Sequence, residues 1–370
     1  MKKKIALAVL AAASIFALSG CSAKAETNFS ANWLSDPSAM HDPSFYERLE
    51  YELSFTPDEG STFGIDIDED ESSYVTETET FSGWRLPNKD PDDPHYTLYT
   101  DVYHIHTELT YSAVYTYTPA EGEAVQVAAF GGEHDTEGSD ADDPAKMVSD
   151  VYFRSKAGGH NLEPLYSTTS YYSYSPAALD SPAVSLYSYS VEIEYANDGD
   201  EATVRYTDNW ADLSDEDCAV SEYVTKEKLL SDEERTFGGL QSSYTAIDAN
   251  QLAFAARGLA LSTENSTTLT VFGGNANDMR VTVSCGEIAE QHYAFTLDGQ
   301  PVDGDISTAQ ATFTMVSGSS QSGPARTAWY AQRAEDGSNP YYCLPLRMDV
   351  PVGNAIGTIS YTLKDASHTK

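Results

Sequence analysis

The sequence predicts a mainly β fold with two β-rich domains, of which the C-terminal one is sandwich-like and begins with a single α-helix. Apolar and polar residues alternate with a period of two along most of the chain, as half-buried strands require. Of the 25 tyrosines, 13 lie in residues 96–117 and 166–195, and amphipathic rings suit a pleated sheet face. Hydrophobic residues make up 41% of the chain, which is enough for a folded core.

A β-hairpin is the clearest local pattern in the N-terminal half. Residues 187–195 (YSYSVEIEY) and 202–206 (ATVRY) alternate strictly, and the intervening residues 197–200 (NDGD) tolerate positive φ. The same alternation predicts further strands at residues 49–55, 74–81, 96–118, 125–130, 147–153 and 165–174.

The pattern changes near residue 208. Residues 208–238 predict an acidic, partly helical connector, with a short charged helix over 221–235. A helix is then predicted near 248–260, because Asp248 can cap it, Gln251 follows three residues later and an apolar stripe begins at Leu252. We therefore predict an N-terminal domain over 31–238 and a C-terminal domain over 239–370. Seven strands are predicted in the latter, at residues 269–272, 281–285, 293–297, 311–316, 328–332, 342–348 and 356–363.

The N-terminus has the form of an export signal. Three lysines follow Met1, and an apolar run from residue 5 to residue 18 comes next, too short for a settled transmembrane helix. The sequence Leu18-Ser19-Gly20-Cys21 resembles the lipobox of bacterial lipoproteins. This resemblance implies a signal peptide over 1–20 and a mature N-terminus at Cys21, whose thiol carries a diacylglycerol.

A lipidated Cys21 makes the lipid bilayer a partner of the protein, because two or more acyl chains hold a protein stably on a membrane. Residues 21–30 are predicted to form a short polar tether, and the nine after Cys21 span at most about 30 Å. We expect an exported lipoprotein, anchored at the outer face of the cytoplasmic membrane or in the outer membrane.

The exported part is strongly acidic. The three N-terminal lysines are the only charged residues before Cys21, so the remaining chain has 18 Lys and Arg against 58 Asp and Glu, a formal net charge of −40. This charge repels nucleic acid, which we exclude as a partner, and favours divalent cations and basic partners.

Residues 66–77 (DIDEDESSYVTE) have the carboxylate spacing of a calcium loop. Asp66, Asp68, Asp70 and Glu77 occupy positions 1, 3, 5 and 12, but Glu71 replaces the glycine that an EF-hand requires. A strand pattern, not a helix, follows the loop. Two interpretations remain open: a weak calcium site in a β-loop, or a solvated connection between strands.

A second candidate metal site lies at residues 104–108 (HIHTE). On a strand, His104, His106 and Glu108 share one face, and two histidines with a carboxylate can ligate zinc or iron. The alternative is the polar side of an amphipathic strand, because Tyr103 and Ile105 share the opposite face.

Other chemical signals are sparse. The sequence contains no G-x-S-x-G, H-E-x-x-H, P-loop or G-x-G-x-x-G motif, so we predict no catalytic residue. Cys285 and Cys343 either form a disulfide or remain thiols. Aromatic residues at 171, 172 and 174, together with Trp210 or Trp329, form either a sugar-stacking platform or ordinary packing.

These observations favour a membrane-anchored extracytoplasmic lipoprotein that binds an unknown protein or glycan without catalysis. One alternative is a solute- or glycan-binding lipoprotein associated with uptake. A second alternative is an exported hydrolase that uses carboxylates or a metal near His104 and His106. No cofactor is expected apart from weakly bound calcium.

Overall fold

The protein is described here from a computed structural model that covers most of the chain after residue 44. The described residues are 45–87, 89, 97–119, 121–130, 145–155, 162–176, 184–208, 234–259, 266–273, 279–317, 320–321, 323–332, 343–352 and 356–368. The predicted signal peptide, the tether with Cys21, Cys218 and residues 209–233 of the predicted connector lie outside them.

The mainly β prediction is confirmed, since strands dominate the described residues and one short helix, α1 (Leu252–Gly258), accompanies them. A 3₁₀ turn, Ala249–Gln251, leads directly into α1. The strands are β1 (Tyr46–Pro57), β2 (Phe63–Ile67), β3 (Ser73–Phe81), β4 (Val102–Tyr111), β5 (Ala113–Tyr117), β6 (Val125–Phe130), β7 (Ala145–Ser155), β8 (Leu162–Pro176), β9 (Val184–Ala196), β10 (Glu201–Asp208), β11 (Glu234–Gly238), β12 (Ala246–Asp248), β13 (Ser266–Phe272), β14 (Met279–Leu297), β15 (Gln300–Ser317), β16 (Ser320–Gln321), β17 (Arg326–Ala331), β18 (Pro345–Val352) and β19 (Gly357–His368).

One large sheet contains 16 of these strands, in the order β11-β10-β9-β8-β7-β4-β3-β1-β19-β18-β17-β15-β14-β13-β12, with β16 paired to β15. A smaller sheet has the order β2-β5-β6. The large sheet curls, because β14 also pairs with β19 in parallel and β12 lies against β8. Along β1 and β4 buried residues alternate with more exposed ones, so the inner face holds the core and the outer face carries the more exposed side chains.

Strands from both predicted domains share the large sheet. β1 lies between β3 and β19, and its pairing with β19 runs from Glu47↔His368 to Pro57↔Gly357. β12 to β19 belong to the same sheet as the earlier strands other than β2, β5 and β6, which form the smaller sheet. The alternation of residues sets which face of a strand is buried, but it does not specify which strands pair, so it did not reveal this continuity. The division at residue 239 stays a prediction.

Local predictions agree with most elements and differ in three. The strands predicted at residues 281–285 and 293–297 are one long strand, β14. The hairpin β9–β10 forms as predicted, with Asn197 and Asp198 at φ of 51° and 62° in its turn. The strand predicted over 96–118 is instead two strands, β4 and β5, interrupted at Ser112. Residues 234 and 235, predicted to end a charged helix, belong to strand β11, which pairs with β10.

The helix prediction is confirmed together with its cap. The Asp248 side chain accepts from the N–H of Asn250 at 2.8 Å, and the Gln251 side chain accepts from the N–H of Asp248 at 3.0 Å. The hydroxyls of Ser167 and Tyr195 each donate to Asp248 Oδ2 at 2.6 Å, which ties the start of α1 to β8 and β9.

A buried ion pair anchors the other end of α1. Arg257 donates through Nη1 and Nη2 to the two carboxylate oxygens of Glu47 on β1, at 2.6 and 3.0 Å. Its Nε donates to the carbonyl of Cys343 at 3.0 Å, and His368 Nε2 lies 3.3 Å from Glu47. Burial raises the pKa of Glu47, but Arg257 and His368 outweigh it and hold that pKa at about 2. Both ends of α1 are thus fixed by buried polar contacts.

Candidate functional site

A cavity of about 210 Å³ lies beneath α1, between two parts of the inner sheet face. The start of the helical segment covers it, β3, β4 and β7 form one wall, and β15, β17, β18 and β19 form the other. Most of the wall is apolar. The lining residues are Tyr74, Thr107, Leu109, Met147, Ser149, Ala249, Asn250, Leu252, Ala253, Phe313, Arg326, Thr327, Ala328, Tyr330, Met348, Asp349, Val350 and Tyr361.

The charged group of this cavity is Arg326 at the start of β17. Arg326, Ala328 and Tyr330 alternate onto the inner face, where Ala328 and Tyr330 are buried, and Arg326 pairs with Phe313 of β15. Burial lowers the pKa of Arg326. The site therefore places a guanidinium among apolar and phenolic side chains.

Two tyrosines stand close to this guanidinium. The rings of Tyr74 and Tyr361 meet edge to face at 5.3 Å between centroids. Burial raises the pKa of Tyr361 to about 12 and also raises that of Tyr74, while the positive charge of Arg326 acts in the opposite direction on both. Both phenols remain protonated at neutral pH and retain O–H groups that can donate hydrogen bonds.

The outer face carries a second group of polar side chains, which we name the outer-face cluster: Glu79, His104, His106 and Asp150. His104 Nδ1 lies 2.9 Å from Glu79 and its Nε2 lies 2.8 Å from Asp150 Oδ1. His106 Nδ1 lies 2.9 Å from the same oxygen. Because an ionised carboxylate only accepts, these two contacts favour the imidazolium form of His104, in which both ring nitrogens donate.

The pKa values follow from these contacts. Burial lowers the pKa of His104, but its hydrogen bonds to Asp150 and Glu79 outweigh that effect and raise the pKa above its ordinary value. Burial raises the pKa of Asp150, and its hydrogen bonds to the two histidines outweigh it and lower that pKa.

Aromatic rings extend the outer-face cluster toward β8. The ring of Tyr152 stacks on that of His104 at 4.3 Å and 7°, and Trp84 stacks on Tyr152 at 4.5 Å and 18°. Trp84 and Tyr152 are both partly exposed. They present an aromatic surface beside charged groups, and aromatic surfaces of this kind suit sugar rings or a protein partner.

The residues predicted as a zinc or iron site share the outer face as expected but have other partners. His104 is bound through both nitrogens, and Glu108 lies 2.5 Å from Lys146 Nζ. Within the described ranges, no group of three or more His, Cys, Asp or Glu is arranged to hold a metal ion.

The residues predicted as a calcium loop are spread over three elements. Asp66 belongs to β2, and Asp68 Oδ1 accepts from the backbone N–H groups of Asp70 and Glu71 at 3.0 and 3.2 Å. Glu77 lies on β3, where it faces Arg48 at 3.5 Å. The calcium site stays a prediction.

Among the remaining residues named from the sequence are two cysteines and two tryptophans. Cys285 and Cys343 are not joined by a disulfide in the structure. Trp329 lies beneath the guanidinium of Arg347 at 5.1 Å, and Trp210 lies outside the described residues.

Arg326 is not among the residues that the sequence motifs single out, since those are histidines, carboxylates, cysteines and aromatic residues. A signal for it exists in residues 326–331 (RTAWYA): the alternation that puts Ala328 and Tyr330 inward also puts a charged residue at an inward position. A charge on the apolar side of an amphipathic strand calls for a partner.

No protein-family model matches the sequence, and no curated protein matches it. Among solved structures, the chain is similar to a protein of Brucella abortus described as a beta-barrel-like protein of a domain of unknown function, DUF1849. The TM-score is 0.38 and the identity is 8%, over 88% of this chain and 98% of that one. By its fold, the chain belongs to the class of mainly β proteins and is built on one large curled sheet.

Among the described residues, no helix has the length and apolar character needed to cross a membrane.

Proposed function

We propose that this protein is a membrane-anchored extracytoplasmic lipoprotein that binds a small molecule in the cavity beneath α1, without catalysis. The observation that carries the proposal is the cavity, because apolar walls with a few polar groups turned into one space are typical of small-molecule sites. At about 210 Å³ it is smaller than drug-sized pockets of roughly 300–1,000 Å³, so its ligand is small.

The lipobox-like residues 18–21 support the anchor in this proposal. A tether as short as residues 21–30 would keep the cavity close to the bilayer, at the outer face of the cytoplasmic membrane or in the outer membrane. Replacing Cys21 with serine should release the protein from isolated membranes. Continued membrane retention of the Cys21→Ser protein would count against the anchor.

Binding is tested by narrowing the cavity. Ala253 lines it from the first turn of α1, so Ala253→Leu fills part of the space, while Ala253→Ser leaves the volume nearly unchanged. The full chain is held in lipid nanodiscs, and saturation-transfer NMR follows two neutral probes, 2-phenylethanol and hexanamide. We expect a signal in wild type and in Ala253→Ser and its loss in Ala253→Leu. Equal signals in both variants would show that the probes bind elsewhere.

A second candidate function is contact with an envelope glycan or protein through the outer face. The exposed stack of Trp84 on Tyr152 favours it. Co-sedimentation with isolated cell-wall glycan should weaken severalfold for Trp84→Ala. Trp329→Ala is the matched control, since that ring already lies under Arg347. An equal loss of glycan binding in both variants would show that the stack of Trp84 on Tyr152 has no special role in binding.

The proposed function needs no cofactor. Weak calcium binding at residues 66–77 remains a separate proposal, supported by the carboxylate spacing and the net charge of −40 beyond Cys21. Millimolar calcium should raise the melting temperature above that in a sodium control of equal ionic strength. An unchanged melting temperature would contradict the proposed calcium binding.

A further inference from the structure

Arg326 is a charged side chain without a counterion. In the part of the chain that the structure describes, it has neither an ion pair nor a hydrogen bond. Tyr74 and Tyr361, the groups whose titration it influences, are neutral phenols. The residue is partly buried, so its guanidinium has lost part of its hydration without receiving a protein partner.

The carboxylate that lines the cavity does not serve as that counterion. Asp349 accepts from Arg347 Nε at 2.8 Å and from Arg347 Nη2 at 3.0 Å. The hydroxyl of Ser360 donates to it at 2.8 Å. Among the lining residues Asp349 is the one carboxylate, so Arg326 faces the cavity as an uncompensated cation.

Arg257, which is fully buried, shows what a satisfied guanidinium looks like in this protein. Arg257 is 3% exposed, and its three donor contacts go to the two oxygens of Glu47 and to a backbone carbonyl. Arg326 presents the same fork to a space of about 210 Å³. Arg326 is the less buried of the two, and among the described residues it has no carboxylate partner.

We propose that the cavity binds a small amphipathic carboxylate, with Arg326 as its countercharge. This inference rests on the proposed function and names the ligand class of the same cavity. A planar guanidinium pairs with a carboxylate through two parallel hydrogen bonds, which a neutral ligand cannot reproduce. The phenols of Tyr74 and Tyr361 supply further donors beside it.

The walls and volume define the rest of the ligand. Leu109, Met147, Phe313 and Met348 offer apolar surface around the space next to Arg326. By comparison with a cavity of about 150 Å³ that holds benzene, a cavity of this size holds roughly eight or nine non-hydrogen atoms. Short aliphatic acids and small aryl acids fit that size.

The test compares an acid with its neutral isostere. Hexanoate and hexanamide have the same shape and differ in charge, so the ratio of their dissociation constants reports the countercharge alone. The full chain in nanodiscs is titrated with each probe by calorimetry, with empty nanodiscs as the blank and acetate as a probe without an apolar part. We expect hexanoate to bind at least about tenfold more tightly than hexanamide, and acetate more weakly than hexanoate.

Variants at Arg326 identify the group responsible. In Arg326→Gln the preference for hexanoate should fall to within about twofold of unity, and Arg326→Lys should keep part of it because the charge remains without the fork. Arg48→Gln is the matched control, because Arg48 pairs with Glu50 on the outer face and neither residue lines the cavity, so this variant should retain the full preference. A melting temperature of Arg326→Gln no lower than that of wild type shows that the variant folds.

The outcomes separate the two proposals. Equal binding of hexanoate and hexanamide, or a preference that survives in Arg326→Gln, overturns the carboxylate while leaving the cavity as a binding site. If acetate binds as tightly as hexanoate, the site recognises only the anionic group, and the proposal of an amphipathic ligand is overturned. Absence of binding by all three probes overturns both the ligand class and the cavity as the site of function.

Discussion

Glu47 and Arg326 both occupy inward positions on strands whose neighbouring inward residues are apolar. Glu47 precedes Leu49 and Tyr51 on the inner face of β1, and it is 1% exposed. Its charge is matched by Arg257, with His368 adding a further contact. Removing one partner of such a pair leaves the other charge buried, which costs far more than losing a surface ion pair.

We therefore expect Glu47→Gln to lower the free energy of unfolding by about 3 kcal/mol or more, because Arg257 loses its countercharge while the shape of the side chain is kept. Urea unfolding followed by circular dichroism measures the change. Glu50→Gln is the matched control on the same strand, since Glu50 pairs with Arg48 on the outer face. It should cost about 1 kcal/mol at most. Similar losses in the two variants would mean that burial of the pair carries no special weight.

At the scale of the element, α1 depends on its surroundings. A helix of seven residues is too short to form by itself, since isolated helices need about 12 to 15 residues even with favourable sequences. Asp248 at its start and Arg257 at its end connect it to β8, β9 and β1. The rigidity of α1, which covers the cavity, therefore depends on the contacts of Asp248 and Arg257.

Asp248→Ala should destabilise the protein by about 2 to 3 kcal/mol, because it removes the helix cap and leaves the hydroxyls of Ser167 and Tyr195 without their acceptor. Asp248→Asn should cost less than half as much. Asparagine can still cap the helix, and it removes a carboxylate whose pKa burial raises. Urea unfolding of both variants provides the comparison. If the asparagine variant were as unstable as the alanine variant, the stabilising contribution of Asp248 would come from its charge and not from the helix cap.

The elements also show how far the sequence alone could reach. The cap at Asp248 and the hairpin at residues 197–200 were predictable, because both depend on residues close together in the chain. The pairing of β1 with β19 was not, because Glu47 and His368 are 321 residues apart and alternation carries no information about partners. The cavity shares this limit, since Tyr74, Arg326 and Tyr361 meet only when distant strands pair.

At the scale of the whole molecule, two histidines couple stability to pH. His104 faces Glu79 and Asp150, with His106 and Tyr152 beside it. His368 faces Glu47, Asp298 and, beyond Glu47, Arg257. For His368 as for His104, burial lowers the pKa, but the neighbouring carboxylates outweigh it and raise the pKa. Each ring binds its proton more tightly in the folded protein than in the unfolded chain.

A raised histidine pKa gives stability that is fully present below the ordinary value of 6.5 and is lost as the pH rises through the folded-state value. We expect the free energy of unfolding to decline from slightly acid to slightly alkaline pH. Replacing both histidines with glutamine should flatten the decline, which urea titrations on either side of pH 6.5 would measure. A wild-type profile that is flat over this range would contradict the assignment.

Glu47 affects stability at acid pH. Its stabilising contribution is lost as the pH falls from about 4.5 toward 2, the pKa that it has in the folded protein.

The position of β1 between β3 and β19 has a consequence for the order in which the chain acquires its structure. If the protein is exported from its N-terminus, as proposed, β1 leaves the translocation channel early, while its neighbour from Gly357 to His368 emerges only after β2 to β18. Until then one edge of β1 has unsatisfied backbone groups, which other chains can bind. Secretion that stalls near the C-terminus would therefore leave the centre of the sheet open, and periplasmic or surface chaperones would have most to protect at that stage.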